Sequence, residues 1–280
     1  MRVLTINAGS SSLKYSAFED GGLTHKGLVE RVGCGGPGCH GEALEKALSE
    51  LEGKGAIGFD AVAHRVVHGG EKFRESAVVD AEVLKAIRDC IPLAPLHNPA
   101  NLECLEACIR RLPKAMHVAV FDTAFHSTLE KEAFLYAIPK KYYEEYGVRR
   151  YGFHGTNVKW CVSRAKALLG SLPEKAVVLH LGNGASITAV KNGESVDTSM
   201  GFTPLEGLVM GTRSGDVDPS VIPFICGAEG VNAREAEKTL NKESGLKALC
   251  GSNDLRDAWK AVDEHGSREA LDGLKVYARR

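Results

Sequence analysis

A polar stretch near the N-terminus carries side chains that suit phosphate binding. Ser10, Ser12 and Lys14 follow an apolar opening and are two residues apart, so an extended strand places all three on one face. Two hydroxyl groups and an ammonium group can donate hydrogen bonds to phosphate oxygens. The preceding turn, residues 7–9, is small, and Gly9 tolerates a positive φ. By itself the stretch also fits a solvated hairpin.

A second stretch repeats this order of features far along the chain. Residues 180–186, His-Leu-Gly-Asn-Gly-Ala-Ser, follow the apolar run 177–179 and precede an alternating run at 187–190. The chain therefore contains a strand, a glycine turn and another strand twice. Two similar domains that each present such a turn to one ligand would produce this repeat. We expect that ligand to be a nucleotide, bound through its phosphates.

Other polar residues at expected loops and strand ends indicate a cationic pocket. They are Arg65, His68, His97, Asp122, His126, His154, His180, Asn183 and Arg213. Any one histidine is more often structural than catalytic. One carboxylate, two arginines and several histidines, together with two phosphate-type turns, nevertheless favour an anionic substrate.

The elements that must position these residues follow from the spacing of apolar side chains. Helices are predicted at 42–51, 80–91, 99–111 and 157–169, and strands at 61–70, 117–121, 176–181, 186–190 and 195–198. Asp122 comes directly after its strand, and the strand of Arg65 ends near Gly69-Gly70, at the edge where open α/β sheets bind ligands. Asn98, followed by Pro99, is predicted to cap the third helix.

The chain is long enough for two domains, each with its own core. We predict an α/β fold with a first domain at 1–149 and a second at 150–280, divided between Gly147 and Gly152. The loop at 201–218 is long and rich in Gly, Thr and Pro, which indicates a functional role. After Pro219 the chain is predicted to be mostly helical, so we expect the second sheet to be incomplete.

Composition narrows the class of protein. The chain is 44% apolar and 25% charged, and its net charge is −1, from 35 Lys and Arg against 36 Asp and Glu. No basic block stands out, which disfavours nucleic-acid binding. No apolar run approaches the ~18 residues of a membrane span, and no signal peptide is recognisable. We therefore expect a cytoplasmic protein.

The eight cysteines do not form a metal-binding pattern. They lie at Cys34, Cys39, Cys90, Cys104, Cys108, Cys161, Cys226 and Cys250, without a CxxC pair. Cys34, Cys39 and His40 could be half of a metal site, but no second ligand pair with matching spacing follows. We predict reduced thiols that bind no metal.

Eight ordered motifs extend over nearly the whole chain. They occupy residues 7–14, 64–70, 95–99, 121–126, 151–156, 180–186, 197–207 and 211–219. With them the sequence resembles the acetate kinase family, in the superfamily of acetate and sugar kinases, heat-shock 70 proteins and actin. The resemblance implies two ribonuclease H-like (actin-like ATPase) domains with mixed sheets. It also implies reversible transfer of the ATP γ-phosphate to acetate, giving acetyl phosphate and ADP, with Mg²⁺ or Mn²⁺ in a homodimer.

The resemblance also implies a role for individual residues. The catalytic residues would be Arg65, Asp122, His154 and Arg213, with the arginines as a cationic clamp and His154 donating to the transferring phosphoryl group. Val67, Leu96, Phe153 and Pro204 would join Arg65 at the acyl substrate. Nucleotide and phosphate would be bound by Ser10, Ser12, Lys14, His180, Gly182, Asn183, Gly184, Asp254, Leu255 and Arg256. Asn7 and Asp122 would hold the metal, which suits a hard cation.

The sequence departs from the family pattern in several places. Family members continue through a Gly-Gly-Ile-Gly-Glu-Asn type motif and a late metal-binding Glu, which are not present here, and Val158 stands where a His is usual. We expect the second domain to expose apolar surface and an unpaired sheet edge. Two alternatives remain: a propionate or butyrate kinase, and an inactive fragment that binds nucleotide or acyl phosphate, or pairs with a partner chain that completes its sheet.

Overall fold

A computed structural model describes residues 1–9, 11–33 and 35–279 of the chain. Its contacts divide the chain into two compact units, Met1–Ser127 and Thr128–Arg280. This division comes earlier than the predicted boundary at 147–152. The Thr128 hydroxyl donates to the Ser195 carbonyl at 2.7 Å, and the Arg150 N–H donates to the Phe134 carbonyl at 2.8 Å. Residues 128–149 therefore pack with the second unit.

Over the described residues of the first unit, the strands form one mixed sheet. The strands are β1 (Arg2–Ala8), β2 (Ser12–Glu19), β3 (Gly22–Glu30), β4 (Ala61–Val66), β5 (Ala77–Val78) and β6 (Met116–Phe121). Their order is β3-β2-β1-β4-β6-β5. β1, β2 and β3 are antiparallel, β1, β4 and β6 are parallel, and β5 runs antiparallel to β6. The predicted mixed α/β sheet is confirmed here, and it brings the carboxyl ends of three parallel strands to one edge.

The helices of the first unit cover this sheet. They are α1 (His40–Gly53), α2 (Ala81–Asp89) and α3 (Asn98–Arg111), with a 3₁₀ turn at Ile91–Leu93. A second 3₁₀ turn, Ala124–Thr128, ends at the first residue of the second unit. Leu44, Leu48 and Leu51 of α1 lie on one helix face and are buried, as their three- and four-residue spacing predicts. They pack with Leu4 and Cys108 in the main hydrophobic core. The predicted helices of this unit are thus confirmed.

The start of α3 differs from the prediction. Asn98 is the first residue of the helix and His97 precedes it without a side-chain capping bond. The Asn98 side chain is buried and accepts from the His68 N–H at 3.1 Å, and its amide donates to the His68 carbonyl at 3.0 Å. The predicted cap is wrong because the Asn98 side chain bonds a neighbouring strand end instead of its own helix.

The second unit contains an antiparallel sheet followed by helices. The strands are β7 (Lys175–Leu181), β8 (Ala185–Lys191) and β9 (Glu194–Thr198), in the order β7-β8-β9. The helices are α4 (Lys131–Phe134), α5 (Lys141–Tyr146), α6 (Gly155–Leu169), α7 (Val221–Glu229), α8 (Ala233–Lys242), α9 (Gly245–Cys250), α10 (Leu255–His265) and α11 (Arg268–Arg279). The predicted helical ending is confirmed. Since helices follow β9, no parallel strand joins this sheet over residues 128–279, and the mixed pattern expected here is not present.

One strand of the second unit has an exposed apolar face. Val177, Leu179 and Leu181 of β7 are 66%, 55% and 66% exposed. Their alternation with half-buried residues places them on one side of the strand. The described residues of this unit therefore leave that side uncovered. Across the part of the chain that the structure describes, no helix has both the length and the apolar character to cross a membrane.

Candidate active site

In the first unit, three parallel strands deliver polar side chains to one edge of the sheet. Arg65 lies in β4, Asn7 lies near the end of β1, and Asp122 directly follows β6. In the parallel pairing, Ile6 faces His64 and Arg65 faces Val120, and the Asp122 N–H donates to the Val66 carbonyl at 3.0 Å. This register places the three residues side by side, at the edge where ligands of such sheets bind.

Arg65 joins the other two residues through its planar guanidinium group. Its Nε and Nη2 donate to Asp122 Oδ2 at 2.9 and 2.5 Å, and its Nη1 donates to Asn7 Oδ1 at 3.0 Å. The Asp122 side chain is 3% exposed, whereas that of Arg65 is 33% exposed. Burial by itself would lower the pKa of Arg65, but the charge of Asp122 and its hydrogen bonds raise that pKa. The site thus holds a permanent cation with one partly open side.

Two asparagines of α3 hold the ends of the strands, and the sequence analysis did not assign them a role in the site. Asn101 accepts from the Val67 N–H at 3.0 Å and donates to the Ala8 carbonyl at 2.8 Å. Asn98 bonds the next residue, His68: it accepts from the His68 N–H and donates to the His68 carbonyl. Both side chains are buried. Two features of the sequence could have indicated this role. One is the motif at 95–99, and the other is the three-residue spacing that places Asn98 and Asn101 on one helix face.

The first phosphate-type turn links β1 and β2, which pair from Arg2 with Glu19 to Ala8 with Leu13. Ser12 is half-buried and Lys14 is exposed, while Leu13 between them is buried. The predicted common face of Ser12 and Lys14 is therefore present, and Ser10 lies outside the described residues. The φ of Gly9 is not positive; its lack of a side chain matters because a Cβ would lie 3.3 Å from Ser12 Oγ.

The predicted acyl-pocket residues divide between the units. In the first unit, Val67 is buried and Leu96 is 49% exposed. In the second unit, Phe153 is buried and Pro204 is half-buried. The Pro204 carbonyl accepts from Arg213 Nη1 at 3.2 Å, which places Pro204 beside one predicted catalytic residue. That these four side chains bind one acyl group stays a prediction.

In the second unit, His154 has a specific and strained position. It precedes α6 with φ 62° and ψ 12°, the left-handed region that a residue with a side chain rarely adopts. Its Nδ1 lies 3.0 Å from Ser186 Oγ, and its ring stacks on His180 with centroids 3.9 Å apart. Ser186 is fully buried in β8. The surrounding side chains therefore fix both the position and the ring plane of His154.

The second glycine turn brings His154 and Arg213 together. A Cβ at Gly184 would lie 3.2 Å from His154 Nε2 and 3.3 Å from Arg213 Nη1. The absence of a side chain at this position thus leaves room for both groups to approach the backbone. A donor and a cation beside the backbone of a glycine turn suit an anionic ligand.

Asn183 organises the rest of this turn. Its carbonyl accepts from the Gly211 N–H at 3.0 Å, and its Oδ1 accepts from Asn253 Nδ2 at 3.0 Å. A Cβ at Gly211 would lie 2.0 Å from Asn183 Oδ1. Gly182 donates to the Gly184 carbonyl at 3.1 Å across the same turn. These contacts connect the predicted nucleotide turn to residues 211 and 253, although the sequence separates them widely.

The predicted nucleotide-binding residues at 254–256 open helix α10. Asp254 caps this helix by accepting from the Arg256 N–H at 2.9 Å. Arg256 also donates from its side chain to Asp254, and these bonds lower the pKa of Asp254 to about 2. Leu255 and Arg256 are exposed. The neighbouring bond from Asn253 to Asn183 brings this segment to the glycine turn, whereas its role toward a nucleotide stays a prediction.

Sequence reasoning missed a cluster that holds the loop at 198–206. Arg150 donates to Glu206 Oε1 at 2.7 Å and to the carbonyls of Thr198 and Ser199 at 2.6 and 3.0 Å. The Tyr136 hydroxyl donates to the second oxygen of Glu206. The pKa of this hydroxyl is raised, mainly by burial and then by its hydrogen bond to Glu206. Glu206 and Tyr136 are 70 residues apart, so no local spacing signals their contact.

The residues beside Arg65 fit a divalent cation by their chemistry. Asn7 offers an amide oxygen and Asp122 a carboxylate, which are the ligand types of hard cations. Both oxygens already accept hydrogen bonds from Arg65, so a bound cation would share them with a fixed positive charge. A cation that keeps several of its waters can accommodate such neighbours.

Comparison with solved structures defines the class of protein. The fold matches a Porphyromonas gingivalis acetate kinase with a TM-score of 0.90 and 42% identity over 100% of this chain and 77% of that chain. It matches a propionate kinase from Francisella tularensis subsp. tularensis with a TM-score of 0.94 and 38% identity over the same shares. The chain therefore has the actin-like ATPase fold and is a phosphotransferase of the carboxylate kinase class.

Sequence comparison then gives the family. The model of the acetokinase family matches residues 35–280. The acetate kinase of Caldanaerobacter subterraneus subsp. tengcongensis is 48% identical over 99% of this chain and 77% of its own length. That of Thermotoga maritima is 51% identical over 94% of this chain and 72% of its own length. The chain belongs to the acetokinase family and is an enzyme of the acetate kinase type, which uses ATP and a divalent metal ion.

Proposed function

We propose that this chain transfers the γ-phosphate of ATP to acetate, giving acetyl phosphate and ADP, with Mg²⁺ as the divalent ion. The observation that carries the proposal is the hydrogen-bonded set of Arg65, Asn7 and Asp122 at the sheet edge. This set stands in a chain that is 48% identical to an acetate kinase.

The chemistry requires cations more than a general base. Acetate is already ionised at pH 7, so its oxygen can attack the γ-phosphorus directly while the bond to the β-phosphate oxygen breaks. The obstacle is repulsion between two anions, together with the charge on the transferring group. Fixed cations reduce both effects.

The first unit supplies one such cation and the metal ligands. Arg65 would bind the acyl carboxylate through the exposed side of its guanidinium group, since a planar fork meets two oxygens and stays protonated. Asp122 and Asn7 would hold Mg²⁺, which when bound neutralises charge on phosphate oxygens. Val67 and Leu96 would contact the methyl group of acetate.

The second unit supplies donors for the phosphoryl group and the nucleotide. His154 Nε2 and Arg213 Nη1, both beside Gly184, would donate to the oxygens of the transferring group. The turn at Asn183, and residues 254–256 beside it, would bind the nucleotide. Phe153 and Pro204 would complete the apolar contacts of the acyl chain.

The proposal is tested by trapping the acyl phosphate with hydroxylamine. The purified chain is supplied with ATP, Mg²⁺ and acetate, propionate or butyrate in parallel. Arg65→Ala serves as the blank, and Arg88→Ala, an exposed arginine of the same unit, serves as the matched control. We expect acyl hydroxamate from the wild type and Arg88→Ala but not from Arg65→Ala. Absence of product from every acid, with ATP still bound, would support the alternative of a nucleotide-binding protein without turnover.

A propionate kinase is the second candidate, because the structural match to the Francisella propionate kinase has a TM-score of 0.94. One methylene group in an apolar pocket changes binding by only ~1–3 kcal/mol. Activity with both acids is therefore expected. The ratio of kcat/KM for acetate and propionate decides which is the preferred substrate.

A cytoplasmic homodimer without nucleic-acid or membrane partners completes the proposal. The near-neutral charge of the chain supports the absence of nucleic acid as a partner. Light scattering after gel filtration, at several protein concentrations, measures the oligomeric state directly. A mass equal to one chain at every concentration would contradict the dimer.

A further inference from the structure

A cluster of metal-ligating side chains lies in the core of the first unit and has no part in the proposed reaction. His64 of β4, Cys108 of α3 and His117 of β6 are all buried. Each offers one ligand atom, and these three atoms lie within 4.8 Å of one another. Two imidazoles and a thiol side by side are an uncommon content for a hydrophobic core, because polar groups are costly to bury.

Sheet register and helix packing explain why the three residues meet. In the parallel pairing of β4 and β6, Val62 faces His117 and His64 faces Ala119. Alternation then places His64 and His117 on the same face, diagonal to each other. Helix α3 covers this face, and Cys108 belongs to the same core as Val62.

The hydrogen bonds define how the histidines are protonated. His117 Nε2 lies 3.1 Å from the Leu112 carbonyl, and His64 Nε2 lies 3.0 Å from His117 Nδ1. A carbonyl only accepts, so His117 carries its proton on Nε2, and its Nδ1 lone pair faces His64. Burial lowers the pKa of His64 to about 3 and also lowers that of His117. Histidine binds metals through the lone pair of a ring nitrogen, and His117 Nδ1 already presents such a lone pair toward His64.

We propose that His64, Cys108 and His117 form a binding site for a metal ion that prefers thiolate and imidazole ligands, Zn²⁺ or Cu⁺. Metal–nitrogen and metal–sulfur bonds of about 2.0 and 2.3 Å put the ligand atoms of one ion roughly 3–4 Å apart. The two histidine nitrogens are already 3.0 Å apart, and the whole cluster lies within 4.8 Å. Imidazole and thiolate select these metals over Mg²⁺. The Leu112 carbonyl holds the ring of His117, as an outer partner of a metal-bound histidine does.

Metal binding requires that the Cys108 thiol lose its proton. The S–H bond of Cys108 breaks, a metal–sulfur bond forms and the proton leaves to solvent. The ring proton of His64 moves from Nε2 to Nδ1. This shift frees the Nε2 lone pair for the metal, and no second proton leaves the site. With Cu⁺ the complex of one thiolate and two imidazoles is neutral, which suits an apolar core, whereas with Zn²⁺ it carries one positive charge.

The experiment measures metal uptake by the full chain. The wild type and variants are incubated with Zn²⁺, or with Cu⁺ under reducing conditions, in excess Mg²⁺ to saturate oxygen ligands. Unbound metal is removed by gel filtration, and the remainder is counted by mass spectrometry. The variants are Cys108→Ala and His117→Gln, with Cys90→Ala as the matched control, since Cys90 is also a buried cysteine of this unit. Circular dichroism monitors the fold of each variant.

We expect the wild type and Cys90→Ala to retain one more equivalent of metal than Cys108→Ala and His117→Gln. The metal that shows this difference identifies the preferred ion. Uptake of neither metal by the wild type, or equal uptake by Cys108→Ala, would overturn the proposal. X-ray absorption of the loaded wild type gives a test without variants: sulfur and imidazole nitrogen in the coordination shell support the site, and a shell of oxygen alone contradicts it.

Discussion

Arg65 joins the polar side chains at the sheet edge of the first unit. It makes three hydrogen bonds to two side chains, one on the neighbouring strand β1 and one directly after β6. A guanidinium group can span Asp122 and Asn7 because its donors form a rigid, planar fork. Lysine carries the same charge as a single point, so it can approach one partner but not hold both.

We predict that Arg65→Lys lowers kcat about 100-fold, the effect of losing a positioned donor at developing charge. The hydroxamate assay with acetate and saturating ATP measures it. Arg88→Lys, on the surface of α2, is the control and is expected to keep wild-type activity. A kcat of Arg65→Lys within a few-fold of wild type would show that charge alone is sufficient.

His154 depends on its neighbours in the second unit. A residue with a side chain in the left-handed region costs of order 1 kcal/mol or more, and the ring is held by Ser186 and His180. The proposed role requires a proton on His154 Nε2. A Ser186 hydroxyl that donates to Nδ1 selects that tautomer.

We therefore predict that Ser186→Ala lowers kcat about tenfold, which corresponds to an increase of ~1.4 kcal/mol in the activation free energy. The KM for ATP should change little. Steady-state kinetics with acetate provide both constants. The control is Thr188→Ser, two residues along the same strand, which keeps the hydroxyl that bonds Thr198. An unchanged kcat would mean that stacking on His180 alone orients the ring.

At the scale of elements, helix α3 organises the strand ends. Its first turn points the Asn98 side chain at the backbone of His68 and Ile87. Because Asn98 is buried, removal of its side chain leaves these backbone groups without their partner.

For Asn98→Ala we expect a loss of about 2–4 kcal/mol in the free energy of unfolding, since each unsatisfied buried group costs ~1–3 kcal/mol. Urea-induced unfolding measures this value. Glu106→Ala, on the same helix and paired with Arg88 at the surface, should change stability by only ~0.5 kcal/mol. Equal losses in the two variants would refute the role given to Asn98.

The loop at 198–206 is a second element whose position depends on remote contacts. Arg150 and Tyr136 hold Glu206, and Arg150 also binds the loop backbone. This loop contains Pro204, whose carbonyl accepts from Arg213. Arg150 and Glu206 thus hold the loop that contacts Arg213.

We predict that Glu206→Gln lowers kcat several-fold, because a neutral amide holds Arg150 and the Tyr136 hydroxyl less strongly than a carboxylate does. The matched control is Glu194→Gln, on the exposed start of β9. Addition of Arg150→Lys to Glu206→Gln should reduce kcat by less than the product of the single effects, since both changes act on one contact. Fully multiplicative effects would argue against the pairing.

At the scale of the whole molecule, each unit has its own packed elements, and the first unit buries titratable groups within its core. His68 is fully buried, and burial lowers its pKa from 6.5 to about 4. Between these two pH values the unfolded chain binds a proton at this residue and the folded chain does not. Its contribution to stability is therefore present above pH 6.5 and is lost as pH falls.

From His68 alone, we expect the free energy of unfolding to fall by ~1.4 kcal/mol per pH unit between pH 6.5 and 4, or by about 3 kcal/mol in total. Urea-induced unfolding of the wild type and of His68→Asn over this pH range measures the effect. The carboxylates contribute equally to the two proteins, so the difference between their free energies of unfolding isolates the contribution of His68. The wild type should lose stability faster on acidification. Parallel curves would mean that His68 titrates normally in the folded chain.

Local patterns determined much of this protein. Apolar spacing predicted the helices and strands, and the two glycine turns between strands are both present because a hairpin is specified by neighbouring residues. The motifs identified the family. Asp122 was expected at a strand end for the same local reason.

Only the tertiary structure decided which side chains meet. Arg65 could not be paired with Asn7 and Asp122 from spacing, because the strand order β1-β4-β6 brings them together across separations of 58 and 57 residues. The domain boundary, the role of Asn98 and the contact of Arg150 with Glu206 depend on packing in the same way. Cys108, predicted to be an ordinary thiol, became a proposed ligand because α3 lies on the face of His64 and His117. Periodicity along a chain specifies an element and its buried face, whereas strand register and helix docking specify the neighbours of that face.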